Sequence, residues 1–187
     1  MVSCNRYAQL EVTTTKKAMP STTPENVITD QMRSFIGVAS RPVSYEISRW
    51  DVARFACAIG DANPLYSDEA AARESAISGL IAPPTFLRSL LPGPSHEPFP
   101  EPFAHILDAG SRYRFLHPVR VGDVITVSRT LKDMFTKSGR LGTMLFKVRE
   151  ITYTNQLGQI VATQETTTIT YGERSGDDAG SDFGEIG

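Results

Sequence analysis

The segment DVITVSRTLKDMF, residues 123–135, alternates between apolar and polar side chains over most of its length. Ile125, Val127 and Leu131 fall on one face of an extended chain, and the residues between them are polar. A period of two with β-branched side chains is typical of a strand that buries one face. The pattern therefore predicts a long, half-buried β-strand over residues 123–136.

Three further segments of the second half share this character, and they cover residues 105–117, 142–154 and 159–171. The turn-rich stretches HPVRVGD, KSGRLG and NQLG separate the four segments. A short alternating run, PVSYEI, lies earlier in the chain. Helical patterns come first and antiparallel strands follow, so the predicted class is α+β.

Helical signals follow PVSYEI directly. Ser48 is a candidate N-cap, and Gly60 suits the C-terminal end of a helix over the stretch RWDVARFACAI. Trp50 and Ile59 fall on apolar faces of that helix. The sequence therefore predicts an amphipathic helix between these two caps.

A second helix is predicted after a double proline. Pro83 and Pro84 precede TFLRSLL, and proline favours the first turn of a helix. We therefore expect an apolar helix over about residues 84–91, around which the sheet can wrap. The proline-rich stretch PGPSHEPFPEP, residues 92–102, must be an irregular loop.

Composition bounds the class of protein. The chain has 187 residues, 40% of them apolar and 21% charged, with a net charge of −2, which is ordinary for one globular domain. Nothing in this balance indicates nucleic acid or a membrane surface as a partner. Cys4 and Cys57 are the only cysteines, so a cytoplasmic setting without a disulfide framework is favoured. No signal peptide or membrane helix is predicted.

The chain is predicted to have three parts. Residues 1–31 are rich in Thr, Ser, Pro and Lys and read as a mobile N-terminal extension. Residues 32–171 form the folded domain. Residues 172–187, GERSGDDAGSDFGEIG, read as a disordered acidic tail.

Three motifs, GDANPLY, GLIAPPTF and FLHPVRVGD, carry a resemblance to a known family. Over about residues 35–171 the chain resembles the MaoC-like hot-dog family of acyl-thioester hydratases and dehydratases. Within it, the chain is similar to the N-terminal-type (FAS1-like) dehydratase domain, including the non-catalytic subunit of heterodimeric hydroxyacyl-thioester dehydratases. The resemblance implies a curved antiparallel sheet wrapped around a central helix, pairing into a double hot dog.

The resemblance also implies a chemistry. Active relatives use an Asp and a His five residues apart to add or remove water at an acyl thioester. Here Asp61 and Asn63 match the family's pattern, and Tyr66 stands at the position of the histidine. We predict these three as candidate catalytic residues. Two alternatives remain open: Asp61 can serve only the turn after Gly60, and Tyr66 can be an aromatic that lines a tunnel or an interface.

The double proline departs from the family's pattern as well. Active relatives carry I-A-H-G where this chain has I-A-P-P, so Pro84 stands at the glycine whose N–H polarises the thioester carbonyl. Proline has no N–H. Thr85 could supply its own N–H or hydroxyl instead. Pro84, Thr85 and Phe86 are predicted to contact substrate.

Cationic and histidine side chains give weaker signals. Arg112 and Arg114 could meet the phosphate of CoA or a carrier protein, or they could form a solvated strand face. His96, His105 and His117 lie outside the GDANPLY and GLIAPPTF motifs and are predicted to be surface or turn residues. No metal site is predicted, and no cofactor beyond a CoA or carrier-protein thioester as substrate carrier.

These residues and the resemblance together suggest a component of an (R)-specific enoyl-thioester hydratase or 3-hydroxyacyl-thioester dehydratase of fatty-acid metabolism. The chain would be the substrate-binding subunit, completed by a catalytic hot-dog partner. One alternative is an autonomous homodimeric hydratase that uses Asp61. Another is a hot-dog thioesterase, since one fold serves several reactions.

Overall fold

The structure, a computed structural model, describes residues 27–174. Its helices and strands are α1 (Asp30–Arg33), β1 (Val43–Glu46), α2 (Arg49–Ala58), a first 3₁₀ helix (Pro64–Tyr66), α3 (Glu69–Glu74), a second 3₁₀ helix (Pro84–Ser89), β2 (Phe103–Phe115), β3 (Val124–Gly139), β4 (Gly142–Thr154) and β5 (Ile160–Arg174). The four long strands lie within about three residues of their predicted bounds, and the α+β class is confirmed.

The five strands form one antiparallel sheet in the order β1-β3-β4-β5-β2. The sheet is curled into a half-barrel. Its register shifts between Leu131 and Asp133 on β3, and between Asp108 and Ser111 on β2. Such irregularities bend a strand and increase its twist, so they help the long strands to curl around the elements that cover one face.

The larger apolar cluster lies between this covered face and the helices. Ile125 and Val127 of β3 are fully buried in it, which confirms the predicted inward face. Val52 and Ala56 of α2 pack into the same cluster. The prediction that Trp50 and Ile59 lie on apolar helix faces is not matched by burial, because these side chains are 78% and 49% exposed.

The predicted apolar helix over residues 84–91 is wrong in type. The segment forms a 3₁₀ helix that ends at Ser89, although its Phe86 and Leu87 are buried in the larger cluster as expected. Leu90 is already extended, with φ −89° and ψ 101°. Proline at position 92 disfavours helical geometry in the residue before it, so the stretch between the prolines is too short for a stable α-helix.

A smaller apolar cluster lies towards the other end of the covered face. Leu131 and Leu145 of the sheet meet Val27 and Met32 of the N-terminal segment there. The folded part therefore begins before the predicted boundary at residue 32. Residues 1–26 and 175–187, which hold most of the predicted extension and tail, lie outside the described residues.

Candidate functional site

The GDANPLY motif begins at the C-terminal end of α2. The side chain of Ser48 accepts a hydrogen bond from the Asp51 amide at the other end, as the predicted N-cap requires. Gly60 has φ +70° and its N–H bonds to the Cys57 carbonyl, and the Asp61 N–H bonds to the Ala56 carbonyl. This pair of bonds is the Schellman pattern. It fixes the direction in which the chain enters the motif.

Two side-chain turns hold the motif in shape. Asp61 Oδ1 accepts a hydrogen bond of 3.1 Å from the Asn63 amide, and Asn63 Oδ1 accepts one of 3.0 Å from the Leu65 amide. Such Asx turns are a common structural role for these residue types. Both residues are exposed, so Asp61 presents a solvent-accessible carboxylate while it also serves the turn.

Tyr66 is the buried member of the motif. Its side chain is 7% exposed and packs in the larger apolar cluster with Phe86. Burial, and next the negative charge of Asp61, raise the pKa of the Tyr66 hydroxyl, whereas a hydrogen bond with Asn63 lowers it. The hydroxyl is therefore neutral at pH 7. It can donate a hydrogen bond, but it cannot act as the general base that the replaced histidine would supply.

The three family motifs pack against one another. The Ile81 amide of GLIAPPTF donates to the Leu65 carbonyl of GDANPLY over 3.1 Å. The Ala82 amide donates to the Val119 carbonyl of FLHPVRVGD over 2.9 Å. The structure thus brings together segments that are far apart in sequence. This packing sets where the second 3₁₀ helix begins.

The predicted substrate-contacting residues lie at that helix start. Pro84 and Thr85 are exposed and Phe86 is buried, with its ring 5.4 Å from that of Phe55 in an edge-to-face contact. The Phe86 amide bonds to the Pro83 carbonyl. Within residues 27–174 the Thr85 N–H has no acceptor. The donor that Pro84 lacks is therefore available one residue later, as the alternative for Thr85 requires.

A small apolar cavity of about 240 Å³ adjoins the double proline. Pro84 lines it together with Phe115 and the exposed His117. No sequence pattern pairs His117 with Pro84, because the two are brought together only by the contact between the motifs. Asp61, Asn63 and Tyr66 do not line this cavity.

Arg112 and Arg114 lie on β2, at the edge of the sheet. Both are exposed, and they alternate with the half-buried Tyr113, whose ring stacks on Phe115 with centroids 5.6 Å apart. The arginines therefore point to the opposite face of the strand from Tyr113. They form no ion pair among the described residues, so their proposed phosphate contact stays a prediction.

Comparison with known proteins places the chain. Residues 34–164 match the family described as FAS1-like, dehydratase domain region. The chain belongs to this family. It is 33% identical over 147 residues to a UPF0336 protein of Thermobifida fusca, and the matched region covers 75% of this chain and 94% of the relative. A UPF0336 protein of Saccharopolyspora erythraea is 30% identical over 158 residues, or 79% of this chain and 97% of the relative.

Solved structures show the same fold for this FAS1-like dehydratase domain. The ChsH1-ChsH2 complex from Mycobacterium tuberculosis matches with a TM-score of 0.66 and 20% identity, covering 79% of this chain and 92% of that one. A MaoC-like dehydratase from Rhodospirillum rubrum matches at 0.60 and 22%, covering 73% and 92%. The HadBC (3R)-hydroxyacyl-ACP dehydratase complex from M. tuberculosis matches at 0.57 and 22%, covering 72% and 96%. The predicted hot-dog fold is confirmed, as is the predicted likeness to the FAS1-like dehydratase domain.

None of the helices within residues 27–174 is long and apolar enough to cross a bilayer.

Proposed function

We propose that this FAS1-like dehydratase domain is the substrate-binding subunit of an (R)-specific enoyl-thioester hydratase or 3-hydroxyacyl-thioester dehydratase. One observation carries the proposal. Tyr66, buried and neutral, occupies the position where the resemblance puts the catalytic histidine. Hydration of an enoyl thioester needs a group that can accept a proton near neutral pH, and Tyr66 does not supply one.

The double proline supports the same assignment. Pro84 removes the N–H that would face the developing enolate oxygen, and loss of one such donor typically costs about 10²- to 10³-fold in rate. The Thr85 N–H offers a donor in a shifted position. A chain with a substituted base and a displaced donor is better suited to hold an acyl thioester than to convert it. The carrier, CoA or an acyl carrier protein, and a cytoplasmic setting belong to the proposal as well.

The edge strand β2 supports a hot-dog partner. It is 13 residues long, it pairs only with β5 among the described strands, and its side chains are mostly exposed. Ile106 is 64% exposed and Leu107 44% exposed. A long edge strand with exposed apolar side chains is a template for pairing with another chain. We therefore place the contact with the catalytic subunit along β2.

The test compares three samples: this chain, a catalytic MaoC-like subunit that keeps the Asp and His pair, and a mixture of both. The rate of hydration of a 2-enoyl-CoA is measured as the loss of the enoyl absorbance. We expect turnover by the mixture to exceed the sum of the separate samples. Equal rates for the mixture and for the catalytic subunit alone would reject the role of a binding subunit.

The partner surface has its own control. Ile106→Lys places a charge on the β2 edge and should weaken complex formation, measured by analytical ultracentrifugation. Leu157→Lys makes the same change at a residue that is 74% exposed in the turn between β4 and β5, and it should leave the complex intact. Equal effects of the two substitutions on complex formation would exclude β2 as the surface that contacts the catalytic subunit.

An autonomous hydratase is the second candidate, and it is favoured by one feature. Asp61 keeps an exposed carboxylate whose charge acts on the hydroxyl of the buried Tyr66, and that hydroxyl could act as a proton donor. If the purified chain hydrates 2-enoyl-CoA by itself, Asp61→Asn should abolish that activity. An unchanged rate in Asp61→Asn would exclude this use of Asp61.

A further inference from the structure

The covered face of the sheet carries a band of polar side chains between its two apolar clusters. On β3, Arg129 lies between Val127 of the larger cluster and Leu131 of the smaller one. On β4, Lys147 and Arg149 lie between Leu145 and Ile151 in the same way. Three cations thus sit on the covered face, beside the buried polar residues Gln164 and Thr170 of β5. Burying charge costs free energy unless each charge is paired.

Within residues 27–174, only one of the three cations is paired with a carboxylate. Lys147 is fully buried, forms an ion pair with Glu101 of the proline-rich loop, and lies 4.9 Å from the centre of the Phe99 ring. Arg149 donates a 2.7 Å hydrogen bond to the Thr168 hydroxyl. The Arg129 guanidinium has no hydrogen-bond or ion-pair partner in the part of the chain that the structure describes.

The two arginines, which form no ion pair among the described residues, are close neighbours. The residue directly opposite Arg149 on β3 is Leu131, two positions from Arg129. Diagonal neighbours of this kind are about 7 to 8 Å apart, within reach of long side chains. Burial, and next the positive charge of Arg129, lower the pKa of Arg149, whereas the negative charge of Glu101 raises it in part. Two guanidinium groups that repel each other on a half-buried face form a ready site for an anion.

Both arginines line a cavity of about 820 Å³. Its walls are the N-terminal segment around residues 34–39, the proline-rich loop over residues 94–101, and the sheet. Apolar residues make up seven of the fourteen lining residues, and the largest of them are Phe35, Phe99 and Leu131. Cavities of 300 to 1,000 Å³ with apolar walls and a few converging polar groups are typical of small-molecule sites.

We propose that this cavity binds a carboxylate with an apolar body, and that Arg129 and Arg149 hold the carboxylate. A guanidinium fork matches the two oxygens of a carboxylate. The apolar walls would cover the remainder of the ligand. This site contains none of the residues of the GDANPLY or GLIAPPTF motifs, so carboxylate binding here does not depend on the proposed function.

A monoanionic carboxylate fits better than a phosphate. Glu97 and Glu101 line the same cavity, and Glu101 is already committed to Lys147. Their negative charge disfavours a dianion more than a monoanion. The apolar lining residues can also contact an apolar body, which inorganic phosphate lacks.

The test uses octanoate as the probe, with octan-1-ol and inorganic phosphate for comparison, and measures binding to the full chain by isothermal titration calorimetry. We expect saturable binding of octanoate at a stoichiometry of one and clearly weaker binding of both comparison compounds. Octanol binding as tightly as octanoate would overturn the role of the arginines. Phosphate binding as tightly as octanoate would overturn the choice of a carboxylate.

Variants assign the site to its residues. Arg129→Gln removes the unpartnered guanidinium and should weaken octanoate binding roughly 10- to 100-fold, the range expected for losing a hydrogen bond between charged groups. Arg140→Gln makes the same change at an exposed turn residue outside the cavity and should leave affinity unchanged. Equal affinities for the two variants would overturn the site. If Arg129→Gln does not fold, Arg129→Lys keeps the charge without the fork and should weaken binding measurably.

Discussion

The pair formed by Lys147 and Glu101 allows a sharp prediction about stability. Lys147 has no exposed surface, whereas the Glu101 side chain is 40% exposed. Burial lowers the pKa of Lys147, and the hydrogen bond and charge of Glu101 raise it in part. The two partners therefore differ in how much each depends on the other. Removing Glu101 leaves the buried charge of Lys147 without a partner, whereas removing Lys147 leaves a carboxylate that water can reach.

The expected magnitudes follow from this asymmetry. Breaking a buried ion pair by removing one partner typically costs 3–5 kcal/mol. Because water reaches Glu101 and can replace part of its contribution, Glu101→Gln should destabilise by about 2–3 kcal/mol. Lys147→Met replaces the ammonium by an apolar group of similar length. It should lie between no change and a gain of about 2 kcal/mol, since apolar replacements of buried ion pairs are often neutral or stabilising.

Urea unfolding followed by circular dichroism measures both changes, together with the double variant. In the Lys147→Met background, Glu101→Gln should cost less than about 0.5 kcal/mol, as surface substitutions usually do. The reasoning would be refuted if Lys147→Met destabilised the chain as much as Glu101→Gln does. It would also fail if the Glu101 change cost the same in both backgrounds, because the two residues would then act independently.

Three further predictions concern the same core and its caps. Phe86→Ala should cost about 3–5 kcal/mol in unfolding free energy, whereas Phe115→Ala, at a residue 48% exposed, should cost less than about 1; similar costs would contradict the assigned packing. Gly60→Ala should cost about 1–2 kcal/mol, because φ is +70° although no atom lies within 4 Å of the added Cβ, and a thermal melt without a shift would contradict the cap. Because burial lowers the pKa of Lys147 in the folded chain, the unfolded chain binds the Lys147 proton more tightly. The free energy of unfolding should therefore rise with pH between the lowered pKa and about 10.5. Urea titrations of Lys147→Met should lack this rise, and a rise that persists in the variant would exclude Lys147 as its cause.

The strands were predictable because their sequence has the period of the structure. Ile125 and Val127 alternate with polar residues, and the face that they mark is the face that is buried. The second 3₁₀ helix was predictable in position but not in type. An apolar run after two prolines indicates a helical turn. The choice between an α-helix and a 3₁₀ helix depended on the distance to Pro92, which disfavours helical geometry in the residue before it.

The polar band was beyond the reach of sequence patterns. In the stretch LFKVREITY of β4 apolar side chains occur at both odd and even positions, so alternation alone does not show which face is covered. The structure buries Lys147 together with Leu145 and leaves Phe146 half-buried on the other face. The contact of Lys147 with Glu101 of the proline-rich loop determines which face of β4 is covered. This contact joins residues 46 positions apart in the sequence.

The candidate site was predictable only in part. The Asx turns of Asp61 and Asn63 and the cap at Gly60 follow from local preferences, and the structure shows them. The neutral state of Tyr66 depends on its burial against Phe86, which comes from packing between distant segments. The catalytic and substrate roles of these residues stay predictions.

The central claim is that this chain binds an acyl thioester without converting it. The most direct test gives the purified chain a 2-enoyl-CoA and measures binding by calorimetry and hydration by absorbance in the same preparation. We expect saturable binding with no hydration above the uncatalysed rate. Steady hydration that disappears in Asp61→Asn would contradict the claim and show a chain that is an enzyme by itself.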